Sequence, residues 1–223
     1  MKQKLLVAGF LSLFAAHAAQ AEEVTGFRSA HFGANEKAVT DAISADLGVK
    51  AGDVQRAQDP AAKVTTLTAK TKFFEPLNLP ASITYVLGYK CNCLIQVNVL
   101  WELPEGTTVD QRKTAMVAIG ALTNHLMERN WGKDEALTNR VTGDVKEGSE
   151  NAIVFFRGQN KSGGAITLAG APVKMTKAEK APEASAKKTE ALAANIDAIK
   201  SVLLTYEKDA VNPDAYRVNV NGF

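Results

Sequence analysis

Residues 88–102, GYKCNCLIQVNVLWE, hold the chain's only two cysteines and its cleanest alternating run. From Leu94 to Glu102 the apolar Ile95, Val97, Val99 and Trp101 alternate with Gln96 and Asn98, which predicts a half-buried strand. Upstream, Ser82–Leu87 puts Ile83, Tyr85 and Leu87 on one face, and Gly88–Asn92 turns that strand into the next as a hairpin. Lys63–Phe74 alternates as well and is rich in threonine, with Pro76 and Pro80 keeping the following connection irregular. Lys63, Lys70 and Lys72 on this run suit an edge strand that discourages aggregation, with an anion-binding strip as the alternative.

Helices flank these strands. In FGANEKAVTDAISADLGV (32–49), Asn35 is placed to cap a helix, and Glu36 suits its first turn. Val39, Ile43 and Leu47 form its apolar face, and Gly48 its stop. A polar loop to Lys63 follows, marked by Asp59-Pro60. Thr108 and Gln111 have capping-box spacing and predict a second helix to about Asn130, buried along Met116, Ile119, Leu122 and Leu126. Residues 152–170, AIVFFRGQNKSGGAITLAG, read as a second hairpin with a polar, glycine-rich tip. Residues 176–189 carry Ala, Lys and Glu without a large apolar side chain and read as a linker. Beyond it, Leu192, Ile196, Ile199, Leu203 and Tyr206 step by fours and threes, which predicts an amphipathic helix. That helix either folds back on its own sheet or is delivered to a partner's groove. The tail YRVNVNGF (216–223) reads as a short edge strand.

The order of elements predicts an α+β, two-layer fold: a mainly antiparallel sheet with helices packed on one face. The expected organisation is a signal peptide over 1–21, an α+β domain over 22–175, a linker over 176–189, and a C-terminal amphipathic helix with a short tail over 190–223.

Gly33, Val39 and Gly48 followed by three strands resemble, over residues 32–102, the repeat of the BamE/SmpA-like outer-membrane assembly lipoproteins. That repeat opens with a glycine-led helix and continues into a three-stranded antiparallel sheet. This chain departs from it in having no lipobox cysteine and no Gly-Pro after Gly48. The resemblance implies a non-enzymatic module of the cell envelope that contacts other proteins.

The N-terminus points to the same compartment. Lys2 and Lys4 precede an apolar stretch, Leu5–Ala16, and Ala19-Gln20-Ala21 supplies a small-x-small cleavage pattern. The stretch is shorter than the roughly 20 residues that a membrane helix requires. Export to a bacterial periplasm with cleavage after Ala21 is therefore expected. Cleavage would remove two of the 26 basic residues and leave them equal in number to the 24 acidic ones, which argues against a nucleic-acid binder.

Candidate chemistry centres on Cys91 and Cys93. By alternation both are expected on the core face with Ile95, Val97 and Trp101. Ideal strand geometry holds residues two apart at roughly 6.5–7 Å between Cα atoms, so a bridge needs a turn at Asn92, which tolerates a left-handed backbone. A structural bridge, a thiol-redox pair and a soft-metal site are the three readings, the structural one leading. A metal site wants further ligands, and after cleavage only His31, His125, Met116, Met127 and Met175 are on offer. No G-x-S-x-G elbow, P-loop or dinucleotide fingerprint is present. No catalytic residue, metal or cofactor is assigned. The functional expectation is an exported binding or assembly module whose partner is another envelope protein. The alternative is a periplasmic thiol-redox or soft-metal-handling protein using Cys91 and Cys93.

Overall fold

A computed structural model describes residues 23–104, 106–129, 131, 136–142, 150–174 and 199–216. The chain opens with a short hairpin, β1 (Gly26–Phe27) and β2 (Ala30–His31), and then enters helix α1 (Glu36–Leu47). The boundaries of α1 are set locally. The Asn35 side chain accepts from the Ala38 N–H, and Gly48 closes the helix in the left-handed region at φ 66°.

Four strands follow: β3 (Gln55–Gln58), β4 (Thr65–Phe74), β5 (Leu79–Leu87) and β6 (Leu94–Glu102). Helix α2 (Val109–Met127) starts on a complete capping box, Thr108 and Gln111 each serving the other's backbone N–H. The remaining strands are β7 (Ala136–Thr142), β8 (Glu150–Gln159), β9 (Ala165–Lys174) and β10 (Ser201–Glu207). They complete an eight-stranded antiparallel sheet in the order β3-β4-β5-β6-β10-β9-β8-β7. The α+β class and the mainly antiparallel sheet are as the sequence predicts.

One face of the sheet is the core. Leu67, Tyr85, Val97, Val99, Trp101, Val202, Leu204, Leu168 and Phe156 lie in one buried cluster with Val39 and Ile43 of α1 and Ala115, Ile119 and Leu126 of α2. Both helices therefore cover the same face. Each fully buried large side chain contributes about 1.5–3 kcal/mol by leaving water. The indole of Trp101 is also satisfied, donating to the Phe74 carbonyl at 3.0 Å.

The C-terminal segment differs from its expected form. Ser201–Glu207 is not part of an amphipathic helix but a strand, paired over seven residues with β6 and over seven with β9. It belongs to the sheet of the domain that the sequence ends at 175. The four-and-three spacing of apolar residues is real, but β6 and β9 would each expose a row of unpaired backbone groups without a strand between them. Satisfying both rows outweighs local periodicity. Ile199 is fully buried, Leu203 is exposed and Tyr206 is half-buried. Leu192, Ile196, the linker and the tail strand lie outside the described residues. The polar loop expected before Lys63 contains β3, which covers β4 over Thr65–Thr68, so Lys70 and Lys72 lie beyond its cover.

The strand and helix readings of the C-terminal segment predict opposite mutational orders. Leu204, buried on the core face, should cost about 2–5 kcal/mol on truncation to Ala, whereas Leu203→Ala should cost about 1 kcal/mol or less. Urea unfolding of the two variants checks this, and equal losses would contradict the register.

Candidate functional site

The hairpin turn between β5 and β6 carries the cysteines. Gly88 N–H donates to the Cys93 carbonyl at 2.8 Å, Asn92 N–H donates to the Gly88 carbonyl at 3.0 Å, and Asn92 takes φ 46°. This left-handed residue draws Cys91 and Cys93 to a Cα separation of 5.0 Å, and they form a disulfide. Their orientation differs from expectation. Val86 pairs with Gln96 but Leu87 pairs with Leu94, so a bulge at Ile95 breaks the alternation. Leu94 and Ile95 are both buried in consequence, leaving Cys93 half-buried and Cys91 exposed.

The turn is gripped from the far end of the chain. The Asp214 carboxylate accepts from the Cys91 N–H at 2.9 Å and from the Lys90 N–H at 3.1 Å, and Tyr89 N–H donates to the Asp214 carbonyl at 2.8 Å. Gly88 permits this approach, because a Cβ there would sit 2.6 Å from Asp214 Oδ2. The Tyr89 and Tyr216 rings meet edge-on at 5.6 Å, and the Lys63 ammonium stands 3.8 Å from the Tyr216 ring centre. Lys63 thus holds the tail segment rather than guarding an edge.

Beside the disulfide is a cavity of about 220 Å³ whose lining includes Cys91, Gln96, Glu207, Asn212 and Asp214. Burial pushes the Glu207 carboxyl above its ordinary pKa, and the Arg157 guanidinium offsets part of that rise.

From this cavity the second face of the sheet extends. Alternation places Gln55, Thr68, Thr84, Asn98, Thr205, Thr167 and Arg157 in one register row across seven neighbouring strands. Three neighbouring pairs in the row are bonded side chain to side chain. Thr68 and Thr84 hydroxyls meet at 3.0 Å, Thr205 donates to Asn98 Oδ1 at 3.0 Å, Gln96 donates to the same oxygen at 2.9 Å, and Arg157 donates to Thr167 at 3.3 Å. A row of this kind is rigid, polar and nearly uncharged. Its members from Thr68 to Arg157 are half-buried, and no described helix covers them.

The structure therefore brings Cys91 and Cys93 together and places Ile199, Leu203 and Tyr206 on a central strand rather than on a helix. His31 and His125 are exposed, and among the described residues no group of three or more His, Cys, Asp or Glu is placed to hold a metal ion. Sequence reasoning missed Asp214, Glu207 and the polar row. The T-x-T and Q-x-N halves of the alternating strands were the available signal for the row, since they mark the polar face of each strand. No family model, curated protein or solved structure matches the chain.

Two outcomes follow from this geometry. A three-residue disulfide loop adds only about 1.6 kcal/mol of chain-entropy stabilisation. Replacing Cys91 and Cys93 with Ser should thus lower stability by about 1–2 kcal/mol, and wild type in reductant should unfold like the double variant. Chemical unfolding with and without a dithiol measures both. For Glu207, a raised folded-state pKa means that the native state holds its proton to higher pH than the unfolded chain does. Ionisation then disfavours the fold as pH rises through that range. Glu207→Gln should raise the thermal midpoint at neutral pH, and the difference should vanish in acid where the Glu207 carboxyl is protonated in the folded and the unfolded chain alike. A midpoint difference that persists in acid would assign the effect to packing.

Proposed function

We propose that the chain is an exported binding or assembly module of the bacterial cell envelope that presents the open face of its sheet to another protein. The observation that carries this reading is the hydrogen-bonded polar row from Thr68 to Arg157, half-buried and uncovered by any described helix. A broad, pre-ordered surface loses little side-chain entropy on docking, and its unbonded lone pairs and N–H groups can pair across an interface. Its breadth, one residue from each of six neighbouring strands, suits a macromolecular partner better than a small solute, which takes a concave site. The leader-like residues 1–21 and the resemblance of residues 32–102 to envelope assembly lipoproteins favour the same compartment. Among the described residues no helix is long and apolar enough to cross a membrane.

A second reading, disulfide exchange at Cys91–Cys93, has the exposure of Cys91 in its favour. The adjacent Asp214 carboxylate weighs against it, because it repels a thiolate there.

The test places a photo-crosslinking amino acid at Thr84 or Thr205 in living cells, with exposed Val117 of α2 as the control site. The expected result is a discrete heteromeric adduct from the sheet positions and none from Val117, on protein whose N-terminus begins at Glu22. Adducts only from Val117, monomer alone from all three sites, or an intact Met1 would overturn the reading. A double Cys→Ser variant that keeps the adduct would separate binding from disulfide exchange.

A further inference from the structure

At one edge of the sheet, β4 runs past the end of its outer neighbour. β3 pairs with β4 only from Gln58↔Thr65 to Gln55↔Thr68, and β4 continues to Phe74. On the β3 side, the Asp59 N–H donates to the Val64 carbonyl at 2.9 Å. Backbone groups alternate sides along an antiparallel strand, so those of Thr66, Thr68 and then Lys70 face the same way. The first two meet β3, whereas the Lys70 N–H and C=O have no described strand beside them. A cavity of about 340 Å³ opens there instead, and its lining includes Lys50, Asp53, Gln55, Thr68 and Lys70. Lys50, Lys70 and Lys72 are exposed, and none of them forms an ion pair with a described residue. Phe73, next to Lys72, is 75% exposed.

We propose that this edge takes an extended acidic segment of another protein as an added strand, paired to the β4 backbone beyond Thr68. Main-chain hydrogen bonds to the Lys70 N–H and C=O continue the ladder where β3 leaves it, and they satisfy groups that otherwise face solvent. Side chains then set the choice of partner. Lys50, Lys70 and Lys72 outnumber the acidic groups around them, which are Asp53 in the lining and Glu75 just past the strand. That excess favours a segment bearing carboxylates. Phe73 offers an apolar contact to a residue between them. The same lysines exclude a second copy of this chain. Antiparallel pairing of one β4 edge on another would set Lys70 and Lys72 against the same two lysines, and like charges placed opposite are destabilising. The site is independent of the docking proposed for the open face, because its pairing groups are backbone atoms at the edge rather than the side chains of the polar row.

Fluorescence anisotropy of a labelled short peptide alternating glutamate and valine, titrated with the full chain, tests this. The expected result is saturable binding that weakens as salt rises. Combining Lys70→Gln with Lys72→Gln, both at exposed positions, should weaken it by about tenfold or more, and so should exchanging the peptide's glutamates for glutamines. Backbone pairing is read separately. N-methylation of alternate peptide residues removes the donors from one edge of the added strand and leaves its charge unchanged. One of the two methylation frames should lose about tenfold in affinity, and the other should bind as before. Hydrogen exchange followed by NMR should show a fast Lys70 amide in the free chain that slows when the peptide is added. No saturable binding, unchanged affinity in the double lysine variant, equal affinity for the glutamine peptide or equal binding of the two frames would overturn the proposal. A Lys70 amide already slow in the free chain would overturn it too, by showing that a segment of this chain covers the edge.

Discussion

The pairing of β10 on both of its edges holds the rest of the molecule together. Without Ser201–Glu207, the strands from β3 to β6 and the strands from β9 to β7 would be two separate sheets, each ending in a long unpaired edge. Placing β10 between them satisfies seven residues of backbone on either side and continues the core from Val99 through Leu204 to Leu168 in one register row. Because β10 comes from the end of the described chain, the sheet is complete only when distant parts of the sequence meet. The long reach of these contacts makes the assembly cooperative, since neither half can bury its apolar face fully alone.

The same strand connects the fold to its surfaces. On the core side Tyr206 packs on Phe27 and so anchors the N-terminal hairpin against the sheet. On the open side Thr205 joins Asn98 to the β9 and β8 half of the polar row. Directly after β10, the segment through Asp209 and Asp214 turns back over the cysteine hairpin and binds its amides. A single strand thus supplies Glu207 to the cavity beside the disulfide and Thr205 to the open face.

Charge follows burial in a consistent way. The exposed ion pairs, Lys37–Asp41 and Arg56–Glu36, are surface contacts of small energetic weight. The groups that matter more are half-buried and meet dipoles, rings or an opposite charge: Asp214 on backbone amides, Arg129 on the Trp131 ring, Glu207 beside Arg157. In such places desolvation strengthens each contact and restricts where its partner can stand.

Much of the chain was legible from its residues. Asn35 and Gly48 delimit α1, Thr108 and Gln111 start α2, the alternation of Leu94–Glu102 gives β6, and the glycine-rich tip gives the β8–β9 hairpin. These features depend on interactions within a few residues, or on a period that one face of a helix or strand imposes, so the sequence by itself determines them. It also showed that a Cys91–Cys93 bridge required a left-handed Asn92. What the tertiary structure alone decided is the strand state of Ser201–Glu207, the bulge that turns Cys91 outward, and the grip of Asp214 across the hairpin. Each arises from hydrogen bonds or packing between residues far apart in the chain. For such pairs the free energy lies in bringing two surfaces together, and neither segment alone carries its sign.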